Sequence, residues 1–137
     1  MKASEIKQVS SALVQLAQQK LPFKLSYRVS KLIKKFNEEA NAINETLVSI
    51  IKENGGVEEG NGNYQIVAPD KEKATEEEIK EYEKNVSSFS IAADDFMKEE
   101  ILINFDPIDI GLFPEDLSIE AGVLTMLEPI LANEKPQ

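Results

Sequence analysis

Eight apolar residues, Leu25, Val29, Leu32, Phe36, Ala40, Ile43, Leu47 and Ile50, recur at steps of 4, 3, 4, 4, 3, 4 and 3. This spacing lays them on one face of an α-helix, with a single stutter between Phe36 and Ile43. Pro22 suits the first turn of such a helix, because its missing N–H needs no partner there. Asn54-Gly55-Gly56 supplies the stop. A helix over residues 22–53 would be about 48 Å long at 1.5 Å per residue. Helical stability in proteins comes mostly from tertiary packing, so a helix of this length calls for a long partner helix or a second subunit. The seam is therefore expected to carry a homo-oligomer.

The elements around it are shorter. Ile6, Val9, Leu13, Leu16 and Ala17 predict a first helix over residues 4–19, ended by Leu21-Pro22. Asn61-Gly62 between Val57 and the Tyr64–Val67 stretch predicts a β-hairpin closed by a type I′ turn. Thr75 and Glu78 form a capping box for a third helix, with Ile79, Tyr82, Val86 and Phe89 as its stripe and an end near Met97. Ile101, Ile103 and Phe105 alternate with Leu102, Asn104 and Asp106, which predicts a late strand, and Pro107 places it at an edge. Ile108, Ile110 and Leu112 continue the alternation. A last helix is predicted over residues 119–131, with Ser118 as N-cap and Pro129 weakening its end. The fold class is thus α+β and mainly helical: a helical hairpin or bundle around one long amphipathic helix, with a small β-hairpin and a late strand. One domain is expected over residues 1–132, followed by a loose tail over 133–137.

Composition narrows the chemistry. The chain of 137 residues holds no Cys, His or Trp. Disulfides, thiolate chemistry, an imidazole base, a Ser-His-Asp triad and the ordinary zinc and haem sites are thereby excluded. Ser87, Ser88 and Ser90 have no histidine to activate them, and Gly55, Gly56, Gly60 and Gly62 belong to turns and not to a phosphate loop. Hydrophobic residues make up 42% and charged residues 29%, an ordinary globular balance. No apolar run approaches the ~18 residues needed to cross a bilayer, and residues 1–20 carry no apolar signal stretch. A cytoplasmic protein is expected, without contact with a membrane.

Charge is unevenly distributed. Residues 1–52 hold nine basic and four acidic residues, whereas residues 53–137 hold six and twenty-one, for a net charge of -10. On the predicted long helix Lys24, Arg28, Lys31, Lys34 and Lys35 fall within an arc of ~120°, opposite Leu25, Val29, Leu32 and Phe36, with Tyr27 among them. This stripe can pair with the acidic half of the chain, dock an acidic protein, or hold a phosphorylated small molecule. The net charge and the lack of a recognition motif argue against nucleic acid. The acids Asp94, Asp95, Asp106 and Asp109 could in principle offer oxygens to a hard cation, but their spacing matches no EF-hand loop. Neither a metal nor a cofactor is expected. The sequons at Asn44 and Asn85 lie within predicted helices.

Two stretches carry a likeness. One is Lys20-Leu-Pro-Phe-Lys-Leu-Ser-Tyr-Arg-Val-Ser-Lys-Leu-Ile-Lys-Lys; the other is Glu100-Ile-Leu-Ile-Asn-Phe-Asp-Pro-Ile, followed by Leu127-Glu-Pro-Ile-Leu. Together they resemble a family of small proteins, of unknown function, from tailed bacteriophages and prophages. The resemblance implies a phage-type origin, an expected site in the bacterial host cytoplasm, and no catalytic residues. The expectation is a non-catalytic interaction protein that binds a host or viral protein and modulates its activity. Sequestration of a phosphorylated small molecule and a role in virion assembly or structure are the alternatives.

Overall fold

The structure, a computed structural model, describes residues 1–132; the tail expected over 133–137 lies outside the described residues. The fold is mainly helical α+β, as the sequence predicts. Four α-helices, α1 (Ala3–Ala17), α2 (Phe23–Glu53), α3 (Glu76–Met97) and α4 (Ala121–Leu127), are joined by short strands. These are β1 (Val57–Glu58), β2 (Tyr64–Gln65), β3 (Ile108–Asp109) and β4 (Leu131–Ala132). Where one domain is expected, the contacts divide the chain into two compact units. The first is residues 1–41 with the chain from Glu100 onward; the second is Ala42–Glu99.

The first unit holds nearly all of the core. Ile6, Val9, Leu13 and Leu16 of α1 are buried, as are Leu25, Val29, Leu32 and Phe36 of α2, Ile108 of β3, and Val123, Leu127 and Ile130 near the end. Each such side chain contributes about 1.5–3 kcal/mol relative to exposure. α1 packs on α4 and on the 3-10 turn that follows it. Ser10, a polar residue on the buried side of α1, is satisfied: its Oγ donates to Asn37 Oδ1 of α2 at 2.7 Å. Ala17, predicted on the stripe, is exposed, because α1 ends at that residue.

The seam residues of α2 differ in burial. Leu25, Val29, Leu32, Phe36 and Ile43 are buried within a single copy, while Ala40, Leu47 and Ile50 are half-buried. Phe36 meets Phe105 edge-on, with ring centroids 5.5 Å apart. The chain itself thus covers five of the eight seam residues, and Ala40, Leu47 and Ile50 keep part of their surface exposed. Pro22 precedes the helix as its cap and is not its first residue; its carbonyl accepts from Ser26 N–H at 2.9 Å.

In the second unit, α2 ends as expected at glycine. Gly55 has φ +84°, and Gly56 N–H donates back to Ile51 O at 2.8 Å, the six-to-one bond of a Schellman stop. β1 and β2 pair antiparallel, Val57 with Gln65 and Glu58 with Tyr64. Asn61 and Gly62 both have positive φ, and Asn63 N–H donates to Gly60 O at 3.1 Å, which bears out the type I′ turn. Lys52 Nζ lies 4.4 Å from the Tyr64 ring centroid. Thr75 Oγ1 accepts from Glu78 N–H at 3.1 Å and so caps α3. The α3 stripe of Ile79, Tyr82, Val86 and Phe89 is only half-buried, and α3 holds no buried residue.

The late segment departs from prediction on both sides of Pro107: the strand expected over Ile101–Asp106 joins no ladder. Exposure alternates from Ile101 to Asp106, as in a strand, but only Ile108–Asp109 enters a ladder, parallel to Leu131–Ala132. Ile110–Leu112 turns into a 3-10 helix, capped by Asp109 Oδ1 accepting from Gly111 N–H at 2.8 Å. Ser118 is not a cap. The last helix starts later, after Glu120, and the Ser118 carbonyl accepts from Gln19 Nε2. Pro129 tightens the end into a 3-10 turn, as its missing N–H requires.

Candidate functional site

The first turns of α2 expose a polar face because the opposite face is committed to the core. Along it, Lys24, Tyr27, Arg28, Lys31 and Lys35 line a half-open groove of about 770 Å³. Phe23 and Leu32 belong to the same wall, and Phe105, Asp106 and Leu112 close the other side. All of these residues lie in the first unit. Five of the six residues expected at an anionic site are thus brought together. Lys34, also exposed, is not among the residues that line the groove.

The groove cations form no close ion pair among the described residues. Among the described residues, none of Lys24, Arg28, Lys31, Lys34 and Lys35 has a carboxylate oxygen within 4.0 Å. The ion pairs that do form lie elsewhere: the Met1 amino group with Glu100 at 3.0 Å, and Lys98 with Asp94 at 2.8 Å. Lys31 Nζ sits 4.9 Å from the Tyr27 ring centroid, a cation–π contact that still leaves its N–H groups available. Asp106 places one carboxylate in the groove without pairing to any of them.

Aromatic surface accompanies the charge. Phe23 is 85% exposed and Tyr27 55% exposed. Phe23 stands ~200° around the helix from Leu25, so it is an apolar residue outside the seam. That offset was a readable signal for a surface role, which periodicity analysis of the seam passes over. Phe105, Asp106 and Leu112 were not foreseeable as groove residues, because their approach to α2 depends on the tertiary path of the chain on both sides of Pro107.

Two of the other acids serve local structure. The Asp94 carboxylate hydrogen-bonds Lys98 and raises that ammonium above its ordinary value. Asp109 caps the 3-10 turn, and Asp95 is exposed on α3. No group of three or more acids is gathered for a metal among the described residues. No helix among them is long and apolar enough to cross a membrane. Neither family models, curated proteins nor solved structures give a match to this chain.

Proposed function

We infer that this is a non-catalytic binding protein whose α2 groove takes an anionic segment of a partner protein. The observation that carries this reading is the set of cations, Lys24, Arg28, Lys31 and Lys35, without an ion-pair partner among the described residues, on one groove wall beside exposed Phe23 and Tyr27. Among the described residues no carboxylate stands within 4.0 Å of these cations, which favours an external anion over the chain's own acids. A phage or prophage origin, implied by the two motif stretches, would make the partner a host or viral protein whose activity is modulated by capture. A phosphorylated small molecule is the second reading, favoured by a groove volume within the ~300–1,000 Å³ of ligand pockets. Native mass spectrometry of the purified protein would reveal such a ligand.

The test uses fluorescein-labelled polyglutamate and a variant with Lys24→Glu, Arg28→Glu and Lys31→Glu. Wild-type binding should weaken with salt, since exposed charges are screened beyond ~8 Å at physiological ionic strength. The variant should lose at least tenfold in affinity while helicity persists, because Glu is about as good a helix former as Lys. A sharp fall in Tm, or unchanged affinity, would show the stripe to be structural.

A further inference from the structure

Beside the groove runs a stretch of backbone without a backbone partner among the described residues. Residues 102–106 belong to no helix, turn or ladder, and their exposure alternates: Leu102, Asn104 and Asp106 outward, Ile103 and Phe105 inward. The chain is tied down on both sides. Ile101 N–H donates to Met1 O at 2.8 Å, and Ile108–Asp109 pairs with Leu131–Ala132. Between these anchors no N–H or carbonyl of residues 102–106 bonds another backbone group among the described residues. Pro107 holds Asp106 extended and contributes no donor of its own. A row of unpaired donors and acceptors is a template for an added strand, and here it leads into the groove at Phe105 and Asp106.

We propose that the occupant of the groove is an extended acidic peptide segment of another protein, added as a strand along residues 102–106 with its carboxylates directed at the α2 cations. The proposal rests on the reading of the groove as an anion site and narrows it. A phosphate only accepts hydrogen bonds, whereas the 102–106 backbone needs both a donor and an acceptor in alternation, which a peptide main chain supplies. The cations from Lys24 to Lys35 extend over about 16 Å of helix, where a single phosphate would need only one or two of them. An extended peptide covers that distance in about five residues, with carboxylates on one face every ~6.6 Å. Its alternate residues fall on the face of Leu102, which is 86% exposed, so an apolar residue there gains cover.

The experiment measures fluorescence anisotropy of the full chain with a fluorescein-labelled peptide of alternating Glu and Val, about seven residues long. Two N-methylated versions, each blocking one alternate set of amides, a polyglutamate of equal charge and an oligothymidylate complete the set. Strand addition uses one edge of the peptide, so one N-methylated version should bind at least tenfold more weakly and the other should bind unchanged. Equal binding of both to the unmodified peptide overturns strand addition and leaves the anion site standing. Tighter binding of an oligothymidylate than of the peptide overturns the peptide assignment. If neither the peptide nor polyglutamate binds at low salt, the anion site itself fails, and this proposal fails with it.

Discussion

At the scale of single residues, two glycines separate steric need from backbone need. A Cβ on Gly56 would run into Ile51 Cγ2 and lie 2.7 Å from Ile51 O, whereas a Cβ on Gly62 meets nothing within 4 Å and only the φ of +78° resists it. Gly56→Ala should therefore cost about 1–3 kcal/mol through overpacking, and Gly62→Ala about 1 kcal/mol through the left-handed backbone. Urea unfolding of both variants checks the order; equal midpoints would show that the α2 stop is not tightly packed. Asp106 offers a test of opposite sign in the groove. As an unpaired carboxylate among cations, it repels an anionic ligand. Asp106→Asn should tighten polyglutamate binding about two- to fivefold, since an exposed charge contact is worth about 0.2–1 kcal/mol. A weaker complex would mean that Asp106 orients the cations and does not compete for them.

At the scale of elements, α2 has two faces with separate duties. Phe36, fully buried against Phe105, belongs to the core, whereas Phe23 belongs to the surface. Phe36→Ala should cost about 3–5 kcal/mol, and Phe23→Ala should stay within about 0.5 kcal/mol of wild type while weakening the groove's ligand. Thermal melts together with one binding titration distinguish them. The seam residues were legible because burial on a long helix imposes a period, and Gly55-Gly56, Asn61-Gly62 and Thr75 were legible because each solves a local backbone problem. Ser118 was not: a serine before an apolar run signals a cap, but here Gln19 engages its carbonyl and α4 begins two residues beyond the predicted start at Ile119. The strand pattern of residues 101–112 was right in period as far as Asp106. Beyond it the chain folds into a 3-10 turn, which period-two spacing cannot foretell. The basic stripe was legible by its arc alone, but the opposing wall of Phe105, Asp106 and Leu112 is a product of tertiary folding.

At the scale of the whole molecule, a chain of net charge -10 carries on one helix a patch of positive charge that forms no ion pair among the described residues. Like charges this close repel one another, and no ion pair among the described residues offsets that cost. Their retention is accounted for if an anionic partner supplies the missing charge. The most direct test is to follow backbone amide resonances while the alternating Glu–Val peptide is added. The account predicts shifts concentrated in residues 23–35 and 102–106, with α3 unmoved. Shifts confined to α3, or none at millimolar peptide, would contradict it.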